Sequence, residues 1–201
     1  MKLTIIGASG HGKVVADIAR LNGYDEIEFL DDNTELHSCG KWPVIGTSNL
    51  AGELENDLFV AVGNAAIRER IMERFRDKRI VSLIHPSAVI AEDVEIDTGS
   101  VVMAGAVINP SARIGKGCII NTSSSVDHDC VLGDYVHVAV GSHLAGTVSV
   151  GKGTWIGAGV TVSNNIAICE GCMIGAGAVV IQNIFEQGVY VGVPATRLSN
   201  R

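Results

Sequence analysis

The chain has 201 residues, of which 47% are hydrophobic and 18% charged, and its formal net charge is −7. This composition is typical of a folded globular protein, and the negative charge argues against nucleic acid as the main partner. No apolar run is long enough to predict a membrane span, and the first residues, MKLTIIGASGHGK, do not resemble a secretory signal. We therefore expect a cytoplasmic protein whose five cysteines are reduced.

Residues 1–84 alternate between strand and helix patterns. The predicted strands are KLTIIG, EIEFLDD, DLFVAVGN and RIVSLI, and the predicted helices are HGKVVADIARLNG and AAIRERIMERFRDK. This alternation predicts a small α/β Rossmann-like domain with a parallel sheet. The domain is too short for a full six-stranded dinucleotide fold, and no element is predicted for residues 33–54.

Residues 90–180 contain a repeat of six residues. Every sixth residue is Ile, Leu or Val: Ile90, Ile96, Val102, Ile108, Ile114, Ile120, Val126, Leu132, Val138, Leu144, Val150, Ile156, Val162, Ile168, Ile174 and Val180. The residue two places earlier is mostly small, and glycine often follows the aliphatic. The pattern predicts a solenoid of short strands in which the aliphatic fills the interior and glycine takes the corner conformation.

This hexad pattern, over residues 86–195, resembles the hexapeptide-repeat acyltransferases. The resemblance implies a left-handed parallel β-helix of triangular section, with about five coils of about 18 residues. It also implies a homotrimer that binds acyl-CoA between neighbouring prisms. We therefore predict a nucleotide-sugar-binding domain over residues 1–84 and an acetyltransferase β-helix with a C-terminal tail over residues 85–201.

His128 lies between two acids in the sequence V126-D-H-D-C130. A free imidazole has a pKa of about 6.5, which suits proton abstraction at neutral pH, and a neighbouring carboxylate raises its basicity. The residues alone leave a solvated histidine and a general base equally open. The motif resembles that of sugar acyltransferases, which implies that His128 is the catalytic base and that Asp129 assists it. The role of Asp127 stays open.

Gly146 follows His128 by 18 residues, so one coil would stack it beside His128 at a strand spacing of about 4.8 Å. In the family that the chain resembles, the backbone N–H at this position faces the acetyl carbonyl, as an oxyanion donor would. The resemblance further implies that His137, Ala158 and Ala176 contact acetyl-CoA and that Asn121 lies near the substrate. Ordinary β-helix corners remain an alternative for the two alanines.

The cysteines do not predict a metal site. The sequence CEGC at residues 169–172 has no second ligand pair, which a zinc site would need. Cys118, Cys130 and Cys172 fall on the small inward position of the hexad, so we expect buried core thiols. Without an outward serine or cysteine beside His128, direct attack on acetyl-CoA is expected, with no acyl-enzyme.

The loop G7-A-S-G-H-G-K13 follows a predicted strand and opens a helix, so its N–H groups could hold a phosphate. Asp31 and Asp32 end the next strand, where an acid can bind a ribose or a base. NAD binding is therefore one interpretation of this domain.

Four phrases, GASGHGKVVADIA, GYDEIEFLDD, AVGNAAIRERI and the terminal GVPA, instead resemble bacterial N-acetyltransferases that act on UDP-4-amino sugars in the bacillosamine pathway. These enzymes are related to sialic acid O-acetyltransferases. The resemblance implies the following substrate contacts: Ser9, Gly10 and His11 at the diphosphate, Asp31 and Asp32 at the uracil and ribose, and Gly63 against the nucleotide.

We therefore predict an acetyl-CoA-dependent N-acetyltransferase without a metal. It would act on the 4-amino group of a UDP-linked 4-amino-4,6-dideoxy sugar, with His128 as general base. Three alternatives remain: an O-acetyltransferase acting on sialic acid or a related sugar, a non-catalytic β-helix protein, and an NAD-binding regulatory module. The hexads bear on the fold and do not separate these functions.

Overall fold

The computed structural model describes residues 1–198. The chain divides into two compact units, the first being Met1–Pro86 and the second beginning at Ser87. Within the described residues, no helix has the length and apolar character needed to cross a membrane.

The first unit is a five-stranded sheet with helices. Its elements are β1 (Lys2–Ile6), α1 (Gly10–Leu21), β2 (Glu26–Leu30), β3 (Ser38–Cys39), β4 (Trp42–Gly46), a 3₁₀ helix (Ser48–Gly52), β5 (Asp57–Val60), α2 (Ala65–Arg74) and β6 (Leu83–Ile84). The sheet order is β3-β4-β2-β1-β5, and β1 pairs in parallel with both β2 and β5. The loops that follow these three neighbouring strands therefore begin at one edge of the sheet, where α/β folds bind ligands.

Helix α1 forms because its apolar residues recur at helical spacing. It buries Val15, Ala16, Ile18 and Ala19 and contacts β1, whose Leu3 and Ile5 are fully buried. Helix α2 is more polar, and its N-cap Asn64 accepts a hydrogen bond from the N–H of Ile67.

Residues 33–54, for which the sequence predicts no element, form the edge of the sheet. Strands β3 and β4 pair antiparallel, and Gly40 has a φ of +62° in the turn between them. Strand β4 then pairs in parallel with β2. The predicted strand RIVSLI is shorter than expected: β6 has two residues, and Ile80 forms only an isolated bridge with Leu58.

The second unit is a parallel β-helix of very short strands. They are β7 (Val89–Ile90), β8 (Glu95–Ile96), β9 (Val101–Val102), β10 (Val107–Ile108), β11 (Arg113–Ile114), β12 (Ile119–Ile120), β13 (Ser125–Val126), β14 (Val131–Leu132), β15 (His137–Val138), β16 (His143–Leu144), β17 (Ser149–Val150), β18 (Trp155–Ile156), β19 (Thr161–Val162), β20 (Ala167–Ile168), β21 (Met173–Ile174), β22 (Val179–Val180), β23 (Val189–Val191) and β24 (Thr196–Arg197).

These strands form three faces. Face 1 contains β7, β10, β13, β16, β19 and β22; face 2 contains β8, β11, β14, β17 and β20; face 3 contains β9, β12, β15, β18, β21 and β23, with β24 antiparallel to β23. Along each face from β7 to β22, residues one coil apart are paired in parallel, as Val126 is with Leu144. The predicted coil of 18 residues is therefore observed.

The predicted aliphatic positions form the core. From Val102 to Val180 each of them is at most 3% exposed. Ile90 and Ile96 are only partly buried because β7 and β8 belong to the first coil and each has a strand neighbour on one side only. The prediction that Cys118, Cys130 and Cys172 are buried thiols is confirmed, since each is at most 2% exposed.

Glycine serves two different positions of the hexad. Left-handed backbone recurs at every sixth residue from Gly99 to Gly177, three places after the aliphatic, with φ between +54° and +73°. The glycine directly after the aliphatic has another constraint: a Cβ on Gly115, Gly133 or Gly151 would lie 2.3–2.8 Å from backbone of the next coil. The prediction that this first glycine takes the corner conformation is therefore wrong, because its role is to permit close approach.

Candidate active site

His128 and Asp129 form a hydrogen-bonded pair at the corner between β13 and β14. Nδ1 of His128 lies 2.8 Å from Oδ2 of Asp129, and both side chains are more than half exposed, at 56% and 58%. With the ring neutral and Nδ1–H donating to the carboxylate, the lone pair is on Nε2. We call this corner between face 1 and face 2, which includes His128 and Gly146, the base corner.

Gly146 lies beneath the imidazole, one coil further along the base corner. A Cβ at this position would be 2.4 Å from Nε2 of His128 and 2.5 Å from Cε1, so the ring occupies space that only a glycine leaves open. Among the described residues, the N–H of Gly146 has no hydrogen-bond partner. The structure therefore brings together the predicted base and the predicted oxyanion donor.

Asp127 is held from two sides. Its Oδ1 accepts a hydrogen bond of 2.7 Å from Nδ2 of Asn109, one coil earlier, and one of 2.8 Å from the N–H of His128. These bonds, that from Asn109 first, hold the pKa of Asp127 below its usual range, so the group is ionised at neutral pH. Asp127 thus fixes the backbone that presents the imidazole.

The carboxylates make His128 a stronger base. Its pKa is raised above the usual value, chiefly by the hydrogen bond to Asp129 and further by the charges of Asp127 and Asp129. Desolvation opposes this shift, but the ring is exposed to solvent, so the raised direction prevails.

A second group of predicted residues lies at another corner. Asn121 follows β12, Ala158 follows β18 and Ala176 follows β21, which places all three between face 3 and face 1. We call this the arm corner. Face 1 separates it from the base corner, so a single chain does not bring these residues to His128.

His137 lies in β15 on face 3 and is 8% exposed. Its ring centroid is 4.7 Å from that of Trp155, its partner in β18, at an interplanar angle of 30°. Nδ2 of Asn121 lies 3.2 Å from Nε2 of His137, and Oδ1 of Asn121 accepts the N–H of Thr122 at 2.8 Å. The structure therefore brings Asn121 and His137 together, and adds Trp155, which the sequence analysis did not identify.

Ala158 and Ala176 present backbone groups along the arm corner. Within residues 1–198 neither alanine N–H has a hydrogen-bond partner. A Cβ on the following residue, Gly159 or Gly177, would meet nothing within 4 Å. Small side chains and unused N–H groups, one coil apart, suit an extended ligand that carries amide carbonyls, as the pantetheine arm of coenzyme A does.

The glycine loop of the first unit is closely packed on one side and open on the other. Gly7 has a φ of +110°, and a Cβ there would lie 2.6 Å from the carbonyl oxygen of Ala61; a Cβ on Gly12 would lie 2.2 Å from that of Gly7. Around Gly10 and Gly63 a Cβ would meet nothing within 4 Å. Ser9 is the N-cap of α1, and its side chain makes no capping bond to the helix.

Asp31 and Asp32 organise the loops after β2. Asp31 accepts the N–H of Ala8 at 2.7 Å through Oδ2 and that of Asn33 at 2.9 Å through Oδ1. Asp32 accepts the N–H of Ser48 at 2.9 Å, and bonds from Ser48 lower the pKa of Asp32. Each carboxylate oxygen of Asp31 therefore accepts one backbone N–H. The bond from Ala8 holds the glycine loop, and the bond from Asn33 holds the loop after β2.

His11 is neutral in this environment. Burial, and secondarily the charge of Arg68, lower the pKa of His11 to about 4. Its Nε2 is buried, and no group among the described residues makes a hydrogen bond to it. The tautomer decides whether Nε2 donates or accepts, so a ligand oxygen or a bridging water could satisfy this atom.

Ser125 and His143 form a further pair that the sequence analysis did not identify. Both point outward on face 1, one coil apart, and Oγ of Ser125 lies 2.9 Å from Nδ1 of His143. Cys169 and Cys172 are also close, with 3.4 Å between their sulfur atoms. Within residues 1–198 no cluster of three or more His, Cys, Asp or Glu side chains is arranged to hold a metal ion.

Comparison with known proteins matches both units. Residues 2–75 match the PglD N-terminal domain family, and residues 147–182 match the bacterial transferase hexapeptide family of six repeats. The acetyltransferase domain of PglB from Neisseria gonorrhoeae is 42% identical, with 98% of this chain and 99% of that chain covered and a TM-score of 0.95. The chain belongs to the hexapeptide-repeat nucleotide-sugar acetyltransferases.

Two further members of this family are informative. PerB from Caulobacter crescentus, solved with CoA and GDP-perosamine, is 36% identical over 99% of this chain and 98% of that chain, with a TM-score of 0.93. A UDP-N-acetylbacillosamine N-acetyltransferase from Bacillus subtilis is 36% identical over 111 residues. That match spans about half of each protein, 51% of this chain and 51% of the relative.

Family membership confirms the predicted fold, an α/β domain followed by a left-handed parallel β-helix, and the predicted enzyme class. The expected donor agrees with the relatives, because the PglB domain has also been solved with acetyl coenzyme A. These hexapeptide acetyltransferases act on more than one nucleotide sugar, as the names of PerB's ligand and of the Bacillus enzyme state.

Proposed function

We propose that this protein transfers the acetyl group of acetyl-CoA to the 4-amino group of a UDP-linked 4-amino-4,6-dideoxy sugar. The observation that carries the proposal is the His128–Asp129 pair above Gly146, found in a chain of the nucleotide-sugar acetyltransferase family. UDP is preferred over GDP because three of the four phrases that resemble the bacillosamine enzymes occur in the nucleotide-binding half.

His128 acts as the general base in this proposal. Nε2 accepts a proton from the sugar amine as the amine nitrogen bonds to the thioester carbonyl. Asp129 holds Nδ1–H and stabilises the imidazolium that forms. Gly146 packs against the imidazole, and its N–H donates to the carbonyl oxygen as negative charge develops there. When the tetrahedral intermediate collapses, the C–S bond breaks and the CoA thiolate leaves, taking the proton from the His128 imidazolium.

The arm corner holds acetyl-CoA. Ala158 and Ala176 donate their backbone N–H groups to amide carbonyls of the pantetheine arm, and His137, fixed by Asn121 and Trp155, contacts the same ligand. Asn121 also lies near the acceptor sugar. The fit rests on the row of small residues and unused N–H groups at this corner.

The first unit holds the nucleotide. Ser9, Gly10 and His11 contact the diphosphate at the start of α1, where backbone N–H groups and the helix dipole favour an anion. Asp31, Asp32 and Gly63 line the uridine side. Asp31 accepts two backbone N–H groups and Asp32 is bonded by the backbone and the side chain of Ser48, so both acids hold the loops in the shape that receives the uridine.

A homotrimer completes the site. The base corner and the arm corner lie at opposite ends of face 1, so one chain cannot apply both to one acetyl-CoA. A ring of three prisms would place the base corner of one chain against the arm corner of its neighbour. Because acetyl-CoA is a cytoplasmic metabolite and all five cysteines are free thiols, we place the reaction in the cytoplasm.

The test is thiol release from acetyl-CoA with a panel of acceptors: the UDP-4-amino sugar, its galacto epimer, a GDP-4-amino sugar and sialic acid. We expect release with one UDP-amino sugar and an acetylated amine in the product by mass spectrometry. His128→Ala should lose most of kcat and still bind acetyl-CoA. Thiol release with sialic acid alone would contradict the proposed acceptor and favour an O-acetyltransferase. An unchanged kcat in His128→Ala would contradict the role of His128 as general base.

A further inference from the structure

Arg68 is the largest fully buried side chain among the described residues, at 1% exposure. It lies in the first turn of α2. A guanidinium is always charged, and its burial is unfavourable unless hydrogen bonds compensate it. A charge in this position therefore needs a structural or functional reason.

Arg68 makes hydrogen bonds to the loop between β5 and α2. Nη1 of Arg68 donates to the carbonyl oxygen of Val62 at 2.7 Å and to that of Gly63 at 2.9 Å. Two consecutive carbonyls on one nitrogen fix the course of the backbone at Gly63. A Cβ at Gly63 would meet nothing within 4 Å. The loop is therefore hydrogen-bonded to Arg68 through its carbonyls and has open space beside the α-carbon of Gly63.

Arg68 also acts on the glycine loop after β1. Its charge is one of the two causes that lower the pKa of His11, burial being the larger. Strands β1 and β5 are neighbours in the sheet, and the loop at Ala61 is in close approach to Gly7. One buried cation therefore serves both loops at this edge.

We propose that Arg68 is a positioning residue for the nucleotide diphosphate, which holds the Val62–Gly63 loop in its receiving shape and places a buried positive charge behind the Ser9–His11 loop. The inference rests on the proposed function, since it assigns the nucleotide to this edge. An anion gains from a fixed charge that is shielded from water, because screening is weaker there than at the surface.

The experiment compares the full-length wild type with Arg68→Gln, Arg68→Lys and the control Arg76→Gln. Arg76 is exposed and lies just beyond α2. Calorimetry gives the Kd of UDP and of acetyl-CoA separately, and the NMR titration of the His11 ring reports its ionisation. We expect Arg68→Gln to weaken UDP binding about tenfold or more and to leave acetyl-CoA binding within about twofold.

Arg68→Lys keeps the charge but loses the planar fork, so we expect a smaller loss of UDP affinity. The pKa of His11 should rise in Arg68→Gln and stay low in Arg68→Lys, a change that a purely structural role would not produce. Arg76→Gln should match the wild type.

UDP affinity within twofold of wild type in both Arg68 variants would overturn the inference and leave the proposed function intact. If Arg68→Gln does not fold, Arg68→Met, an uncharged side chain of similar length, takes its place, and wild-type UDP affinity in that variant overturns the inference. A wild-type chain that binds neither UDP nor GDP would overturn both the inference and the assignment of the nucleotide to the first unit.

Discussion

Asp129 combines an unfavourable backbone with a useful side chain. It has a φ of +59°, in the left-handed region that most residues avoid and that Asp tolerates better than others. Along the base corner Ser111, Thr147 and Asn165 occupy the same conformation, whereas glycine holds it at most other corners. At residue 129 a glycine would relieve the backbone but remove the carboxylate from Nδ1 of His128. The conformation belongs to the coil, and at residue 129 it is adopted by a residue whose carboxylate reaches His128.

Replacing Asp129 by Asn should move the pH dependence of the reaction. The carboxylate is the largest cause of the raised pKa of His128, so its loss lowers that pKa. The base must be neutral to accept a proton, so the rise of kcat/KM with pH should occur at lower pH in Asp129→Asn than in the wild type. The plateau should also fall, by about tenfold, because a weaker base accepts the proton less readily. A pH–rate profile measures both effects, and an unshifted profile would exclude Asp129 as the group that tunes His128.

Gly146→Ala should separate activity from stability. The new Cβ would overlap Nε2 of His128, and the exposed imidazole would rotate away while the corner stays folded, since Gly146 is not among the positive-φ residues. We expect kcat to fall about 10²-fold, the usual contribution of a general base, with little change in thermal unfolding. Asn164→Ala, at the same corner position one coil further, is the matched control. A Gly146→Ala enzyme with wild-type kcat would contradict the stacked arrangement.

For individual residues, the sequence predicts contacts between residues that lie one coil apart. His128 and Gly146 were paired correctly because they are 18 residues apart, and the same spacing relates Asn109 to Asp127 and His137 to Trp155. The last two pairs were not identified because outward positions are not restricted by the hexad, so their residue types give no signal. Arg68 was also missed, since a charge in a polar amphipathic helix is usually exposed.

Among the elements of the β-helix, the inward hydroxyls and thiols have a shared role. Five of them donate to a carbonyl 15 residues later, in the next coil: Ser100 to Gly115, Cys118 to Gly133, Cys130 to Ala145, Ser142 to Gly157 and Thr154 to Cys169. Two depart from this pattern, since Ser124 donates to Asn121 and Cys172 to Glu186. The distances of the five bonds range from 2.6 to 3.3 Å. The ladder thereby gains one hydrogen bond where two coils meet at a corner. This explains how polar residues occupy a core otherwise built from Val, Ile, Leu and Ala.

Ser142→Ala should destabilise the β-helix by about 1 kcal/mol, because it removes the 2.6 Å bond to the buried carbonyl of Gly157, which keeps only the 3.3 Å bond from the N–H of Val160. The urea midpoint measures the loss. Ser149→Ala, at an exposed outward position of β17, should leave the midpoint unchanged. Equal midpoints for the two variants would mean that the inward hydroxyl contributes nothing beyond its small volume.

The elements differ in how far the sequence determines them. The β-helix was predictable because each coil repeats the same steric requirement, and sixteen repeats in register leave one solution. The hairpin of β3 and β4 was not, because a two-residue strand beside a half-buried one carries too short a pattern to recognise. The two roles of glycine could not be distinguished from the sequence either. A position with a positive φ and a position of close backbone approach both favour glycine, so the residue type is the same at each.

For the whole molecule, the separation of the two corners is the decisive feature. The base corner carries the proposed catalytic groups and the arm corner carries the proposed acetyl-CoA groups, with face 1 between them. In a closed ring each interface would join one base corner to one arm corner, so three chains would make three sites. The activity of each site would then depend on the chain that supplies its base corner and on the chain that supplies its arm corner.

Mixing two inactive variants should restore activity. His128→Ala disables the base corner, and Ala176→Trp places a bulky ring at an exposed residue of the arm corner, so each homo-oligomer should be inactive. When equal amounts are unfolded and refolded together, an interface is intact only if its base corner comes from Ala176→Trp and its arm corner from His128→Ala. Random assembly makes this about one interface in four, so about a quarter of wild-type activity should return. Sites contained within one chain would give no recovery, because every chain would carry one of the two lesions, and the ring proposed for this protein would be wrong.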